Sequence, residues 1–221
     1  MRYFLIFFIL VLSANCSSVP KEYLANDYIC YYNDPIFNIT KEELIIDEKI
    51  LNQLQKEKKD IIIIDNSHYK NEYWYSKEKI TNKQTNKKTN INKYLYYNNK
   101  GKIKFSAFTY NNIYTLGKET NYDGQGNITK VIDYEKGYNI CWAEAIEIVK
   151  KIAKKDIEKY EVTGFYLPYR VDLNEFPNEK PEWGVLLEGN DVYKLKDRKV
   201  YWIDGVTGKF LRTTKITTSY D

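Results

Sequence analysis

Few residues of this 221-residue sequence could do chemistry, and they are scattered along it. The single histidine, His68, follows Asp65, Asn66 and Ser67. These residue types can form a catalytic triad, but side chains adjacent in one loop do not normally converge on one substrate atom. We therefore expect His68 to be a surface residue.

Cys141 is a second candidate, because it stands where the N-cap of a helix is expected. A helix N-terminus can lower the pKa of a thiol and make it reactive. A nucleophile also needs a base, and His68 lies in a different part of the chain, so we favour a buried structural cysteine. Residues 123–127 loosely resemble a calcium loop but lack its bidentate glutamate. We expect no catalytic residue, no metal and no cofactor.

The first fifteen residues have the three parts of a secretion signal. Arg2 supplies a positive charge, residues 3–12 form an unbroken apolar run, and small or polar residues follow. The run is about half as long as the roughly 20 apolar residues of a membrane-spanning helix. We expect residues 1–15 to be a cleaved signal peptide, so that the mature chain is exported, either to the cell envelope or as a secreted protein.

Cys16 stands at the end of this segment. Leu12, Ser13, Ala14 and Asn15 precede it, and this pattern resembles a bacterial lipoprotein signal. The resemblance implies that Cys16 is lipidated and anchors the chain to a membrane surface without spanning it. Leu12 lies one position too early and Asn15 replaces the usual Gly or Ala, so ordinary cleavage nearby is the alternative.

The other two cysteines are Cys30 and Cys141. With Cys16 lipidated, they are the two thiols that could pair as a disulfide in an oxidising compartment. Two isolated thiols are the alternative.

The mature chain is long enough for one large or two small domains. We expect an α+β protein with antiparallel β-sheets and two main helices, at about 41–57 and 141–157. Residues 16–36 are expected to be a tether and 37–136 an α+β region that contains a β-meander, with tight turns at the Asn and Gly residues of 98–101 and at the Asp and Gly residues of 123–126. Residues 81–92 hold almost no apolar side chain, which predicts a mobile Lys/Asn/Thr loop at about 77–93; a basic patch for an anionic ligand is the alternative.

Residues 137–221 form the last predicted domain. Ala143, Ile146 and Val149 mark the apolar face of its helix. A strand with the residues Glu-Trp-Gly-Val at 182–185 follows, and a closing hairpin turns at 204–208. These parts, over about 138–217, resemble the PepSY family, in which an Ala-rich helix precedes a Trp-x-Val strand and an Asp-x-x-Thr-Gly hairpin. The resemblance implies a binding or regulatory module.

Trp183, Tyr201 and Trp202 are the candidate partner-binding residues, because aromatic side chains are enriched at protein interfaces. Neighbouring residues of a strand face opposite sides, so one of Tyr201 and Trp202 should point outward. A sheet face packed under the helix is the alternative.

These features favour a non-enzymatic binding or regulatory protein of the bacterial envelope. Its expected partners are a membrane surface, through the lipid anchor, and a protein or peptide. The net charge of +4 implies no polyanionic partner, so nucleic acid is not expected. A secreted antagonism or immunity protein that binds a cognate toxin is a second hypothesis, and a secreted hydrolase is a third.

Overall fold

A computed structural model describes residues 30, 34–76, 79–110, 114–189 and 198–216. The chain divides into two compact units. The first, which we call the meander unit, consists of Tyr31–Lys136 and Asp172–Asn178. The second, which we call the C-terminal unit, consists of Gly137–Val171 and Glu179–Asp221, and Cys30 also belongs to it.

The meander unit is built on a seven-stranded antiparallel sheet in which each strand pairs with its neighbour in the sequence. Its strands are β1 (Ile61–Asp65), β2 (Tyr69–Ser76), β3 (Lys79–Asn86), β4 (Ile91–Asn98), β5 (Ile103–Tyr110), β6 (Tyr114–Tyr122) and β7 (Ile128–Asp133). In β4, Ile91, Lys93, Leu95 and Tyr97 are all buried. Alternate residues of a strand share one face, so this face of β4 lies against the core.

Two tight turns of this sheet are those that the sequence predicts. The turn between β4 and β5 closes at Gly101, whose φ is +74°. The side-chain oxygen of Asn98 accepts hydrogen bonds from the backbone N–H groups of Lys100 and Lys102. The turn between β6 and β7 is held in the same way by Asp123. Consecutive strands pair across this region, so the sheet is a meander.

The predicted mobile loop at about 77–93 is wrong over most of its length, because β3 and the start of β4 occupy it. The polar side chains of β3 pair with those of the neighbouring strands. Gln84 donates to Asn71 at 3.0 Å, and Thr85 donates to Asn92 at 2.7 Å. Cross-strand pairs of this kind stabilise a sheet without apolar burial.

The first predicted helix, at about 41–57, is shorter than expected. A 3-10 turn at Glu42–Leu44 is followed by extended backbone at Ile45, which pairs with Lys102. The helix α1 (Glu48–Gln55) begins only after Asp47, its N-cap, whose carboxylate accepts hydrogen bonds from the backbone N–H groups of Lys49 and Ile50. The β-bridge between Ile45 and Lys102 therefore keeps Ile45 out of a helix, although the helical periodicity of the sequence includes it. The hydrophobic core beneath α1 consists of Ile46, Leu54, Ile80, Leu95, Tyr97, Ile103 and Tyr122.

The C-terminal unit places helices before a four-stranded antiparallel sheet. The helices are α2 (Trp142–Ile152) and α3 (Lys154–Lys159), and the strands are β8 (Val162–Arg170), β9 (Glu182–Gly189), β10 (Arg198–Asp204) and β11 (Phe210–Ile216), in the order β11-β10-β9-β8. Cys141 is the N-cap of α2, and its backbone N–H donates to the carboxylate of Glu144 at 2.8 Å. Both units combine antiparallel sheet with helix, so the chain is an α+β protein.

Each helix in the part of the chain that the structure describes is too short or too polar to cross a lipid bilayer.

Candidate functional site

The sheet of the C-terminal unit has one face that packs on helices. Trp183 on β9 is 2% exposed, and its indole N–H donates to the carbonyl oxygen of Ile140 at 2.7 Å. Tyr201 on β10 is 6% exposed, and its hydroxyl donates to the carboxylate of Asp156 in α3. Trp183 and Tyr201 are therefore part of the core, and the prediction that they form a partner-binding surface is wrong for both.

The Asp156 carboxylate holds α3 to this sheet. Burial alone would raise its pKa, but hydrogen bonds from Lys199 and Tyr201 and the charge of Lys199 outweigh burial, so the pKa of Asp156 lies below its ordinary value. Its Oδ2 atom lies 2.7 Å from Lys199 Nζ. Burial, the hydrogen bond to Asp156 and the negative charge of Asp156 all raise the pKa of Tyr201. These groups stabilise the fold.

Trp202 lies on the opposite face of the sheet, as the alternation of side chains along a strand requires. Four residues stand directly opposite one another across the strands: Tyr169 pairs with Gly184, Gly184 with Trp202, and Trp202 with Arg212. We call these four residues the aromatic row. It crosses the whole sheet at right angles to the strands.

The members of the aromatic row are in close contact. The rings of Tyr169 and Trp202 are stacked, with centroids 5.6 Å apart and planes 25° apart. The guanidinium carbon of Arg212 lies 4.6 Å from the centroid of the Trp202 ring, within the range of a cation–π interaction. A Cβ atom at Gly184 would lie 2.9 Å from Tyr169 Cβ and 3.3 Å from Trp202 Cζ3. Glycine at this position therefore allows the two rings to meet.

Two further side chains fix the orientation of the row. Arg212 donates two hydrogen bonds to the carboxylate of Glu182, at 3.1 and 2.7 Å. These bonds and the charge of Glu182 raise the pKa of the Arg212 guanidinium. Since an arginine side chain stays protonated in proteins, the row ends in a permanent cation. The indole N–H of Trp202 donates to Thr214 Oγ1 at 2.8 Å. At the other end, Tyr169 is 45% exposed. The result is a preorganised flat surface of two aromatic rings and one guanidinium group.

The structure joins Cys30 and Cys141 as a disulfide, with Cα atoms 6.1 Å apart. Cys141 is therefore not a free thiolate at the helix N-terminus. Among the described residues, Cys30, Cys141 and Glu144 are the group whose ligand atoms lie close enough together to share a metal ion. Since both sulfurs are bonded to each other, only the Glu144 carboxylate is left as a ligand of that group, and the group does not fit a metal.

The residues around His68 do not converge as a triad does. His68 is exposed, and its Nδ1 atom lies 2.7 Å from Ser67 Oγ. The carboxylate of Asp65 instead forms an ion pair with Lys87 at 2.5 Å. The aspartate therefore orients a lysine side chain and not the imidazole.

Asp123 has a structural role in the β6–β7 turn. One carboxylate oxygen accepts from the backbone N–H groups of Gln125 and Asn127, and the other accepts from the Asn127 side chain. Hydrogen bonds from Asn127 and Gln125 lower the pKa of Asp123 despite slight desolvation. The carboxylate thus organises the turn that resembled a calcium loop.

The expected signal peptide, Cys16 and most of the expected tether lie outside the described residues. No family model, curated protein or solved structure matches the chain.

Sequence reasoning identified Trp202 and missed the roles of Gly184 and Arg212. The signal that could have found them is register, because residues that are far apart in the sequence become neighbours once strands are paired across their turns.

Proposed function

We propose that this chain is an exported, lipid-anchored, non-enzymatic binding protein of the bacterial envelope, and that its C-terminal unit binds a protein or peptide through the aromatic row. The row itself is the observation that carries the proposal. Aromatic and arginine side chains are enriched at interface hot spots, and rigid groups lose little conformational entropy when they bind. Stacking, the cation–π contact and the Glu182 ion pair already hold these side chains in place.

The chemistry of the row favours a protein over a nucleic acid. Arg212 is paired with Glu182, so the local charge is balanced and offers little attraction to a phosphate backbone. Arg212 lies on β11, which stands at one end of the strand order, and an extended peptide can add to such a sheet edge. A peptide on this edge would lie beside Arg212.

The disulfide supports export. Disulfides form and persist in oxidising compartments and are rare in the bacterial cytoplasm. The pairing of Cys30 with Cys141 agrees with the expected secretion signal at 1–15, and both features point to a location outside the cytoplasm. The proposed anchor is a lipid on Cys16, which would hold the chain at the membrane surface.

The order of elements in the C-terminal unit supports a PepSY-like module. Helix α2 precedes an antiparallel sheet, Trp183 lies on β9, and the turn at 204–208 joins β10 to β11. In this turn the Asp204 carboxylate accepts from the backbone N–H groups of Val206 and Thr207. We infer a binding or regulatory role from this arrangement, and not a reaction.

The binding role can be tested with a photo-crosslinking amino acid placed at Tyr169 of the anchored protein in cells. We expect a discrete crosslinked protein or peptide that disappears when Trp202→Ala is added. Tyr75 is the matched control position, because it is a similarly exposed tyrosine, 40% against 45%, in the meander unit. The same adduct at both positions, or an adduct that survives Trp202→Ala in a protein with an unchanged circular dichroism spectrum, would refute a partner on the aromatic row.

The anchor needs a separate test. Mass spectrometry of the mature N-terminus should find Cys16 as the first residue, carrying an acyl mass. The Cys16→Ala variant should move from the membrane fraction to the supernatant, whereas Ser17→Ala should stay with the membrane. A Cys16→Ala protein that remains membrane-bound contradicts the lipid anchor.

A further inference from the structure

The meander unit contains a cavity of about 400 Å³, which is within the size range of small-molecule sites. It is lined by Phe37, Phe108, Gly117, Lys118, Asp133 and Glu135. It does not include any residue of the aromatic row, so what it binds is independent of the function proposed above.

Two phenylalanine rings form the apolar part of the cavity. Phe37 ends the 3-10 turn Pro35–Phe37, and Phe108 is a buried residue of β5. The ring centroids lie 5.1 Å apart and the planes are tilted by 47°. Because the faces of aromatic rings carry partial negative charge, such a pair can bind a cation as well as an apolar group.

An irregularity in β6 creates the polar part. The pairing of β5 with β6 shifts register between Ser106 and Phe108, and Gly117, on the β6 side, has a left-handed φ of +54°. A Cβ atom at Gly117 would meet nothing within 4 Å, so the strand leaves open space at this position. Bulges of this kind often occur beside functional sites, where they redirect neighbouring groups.

The irregularity fixes two carboxylates at the cavity. The Gly117 N–H donates to Glu135 Oε1 at 3.1 Å, and the Gly117 carbonyl accepts from the Tyr134 N–H at 3.0 Å. The backbone N–H of Glu135 donates in turn to Asp133 Oδ1 at 3.0 Å. Both side chains are thus positioned by backbone groups. Rigid placement lowers the entropic cost of binding a ligand.

The charge of the lining selects the ligand. Two carboxylates and one lysine give the lining a net charge of −1, whereas the whole chain carries +4. Lys118 is exposed and stands opposite Asp133 across the β6–β7 pair. From the carboxylates and the ring faces together, we propose that this cavity binds an organic ammonium group on a short apolar stem, with the ammonium at Glu135 and Asp133 and the stem against Phe37 and Phe108. Such a group is carried by a free alkylamine or by a lysine side chain.

The test is a titration of the full mature chain with n-butylammonium chloride, followed by NMR shifts of β6 and β7 amides and by calorimetry. Saturable binding is expected, with n-butanol, the neutral analogue of the same length, giving none. A blocked lysine, N-acetyl-lysine-methylamide, distinguishes the sources. Tighter binding than n-butylammonium indicates a peptide side chain, and equal or weaker binding indicates a free amine.

Variants separate this site from non-specific binding. Glu135→Gln keeps an oxygen for the Gly117 N–H and should weaken n-butylammonium binding on the order of tenfold, because it removes a charge-assisted contact. Glu48→Gln, an exposed change in the same unit, should have no effect. Lys118→Gln should tighten binding severalfold, because it removes a competing cation. The proposal is overturned if n-butylammonium does not saturate, if n-butanol binds equally well, or if Lys118→Gln weakens binding in a folded protein.

Discussion

Removing the two partners of the Lys93–Glu43 ion pair one at a time should lower the free energy of unfolding by very unequal amounts. Lys93 lies in the middle of β4, and its side chain is 2% exposed. Its Nζ atom lies 2.6 Å from Glu43 Oε1 and 3.0 Å from the Asn38 carbonyl oxygen. The Glu43 side chain is 18% exposed, and its other oxygen accepts from the Thr40 N–H.

The burial of each partner sets the expected magnitude. Glu43→Gln leaves the positive charge of Lys93 almost out of reach of water. The loss of one partner of a buried ion pair should lower the free energy of unfolding by about 3–5 kcal/mol. Lys93→Met leaves a carboxylate that water can still reach, together with an unpaired Asn38 carbonyl. This change should lower the free energy of unfolding by about 1–3 kcal/mol. The double variant contains no buried charge, so its loss should also be about 1–3 kcal/mol. Adding Lys93→Met to Glu43→Gln should therefore restore stability.

The measurement is urea unfolding combined with hydrogen exchange of β4 peptides, which isolates the meander unit from the C-terminal unit. The decisive comparison is the double variant against Glu43→Gln alone. If the double variant is less stable than Glu43→Gln, or if the two single variants cost the same, the argument from burial fails. The exposed pair Lys150 and Glu147 in α2 is the control, and either single change there should cost well under about 1 kcal/mol.

Three further outcomes are expected. Replacing Cys30 and Cys141 together by serine opens a covalent loop spanning 111 residues and should destabilise the C-terminal unit by about 2–5 kcal/mol. Hydrogen exchange of α2 measures this loss. Unchanged exchange would contradict a structural role for the disulfide. Gly184→Ala should lower the free energy of unfolding, measured in urea, by about 1–3 kcal/mol, because the new Cβ overpacks the aromatic row. It should also alter the near-ultraviolet circular dichroism. A more stable protein would refute the close packing. The pKa of Asp156 is lower in the folded state, so its stabilising effect is complete above the ordinary value of 3.8 and is lost as the pH falls through the folded pKa. Acid unfolding of Asp156→Asn should accordingly be less steep than that of the unchanged protein, and equal steepness would argue against this linkage.

Local signals predicted much of the fold. The turns at Gly101 and Asp123 were recognisable because their side-chain and backbone requirements lie within a few residues. The helix α2 was recognisable from its apolar face and from Glu144 three residues after Cys141. The first helix was predicted too long because the Ile45–Lys102 bridge joins residues far apart in the sequence, and helical periodicity carries no information about it.

Non-local pairing explains what the sequence did not reveal. The sequence of strand β3 is polar and of low complexity. Its stability comes from partners such as Asn71, which are identified only after the strands are aligned. The aromatic row shows the same limit. Counting outward from the Asp204 turn would place Leu211 opposite Trp202, but a register shift between Trp202 and Ile203 places Arg212 there. A single-residue bulge therefore decides which side chain contacts the indole ring.

The disulfide also has a consequence for the order in which the protein matures. Each strand of the meander sheet pairs with its neighbour in the sequence, so each hairpin can form soon after its second strand emerges during synthesis. Cys30 emerges first, but it must wait 111 residues for Cys141. The seven-stranded sheet can therefore form while Cys30 is still a free thiol. Covalent closure by the Cys30–Cys141 bond is therefore a late step relative to the pairing of these strands.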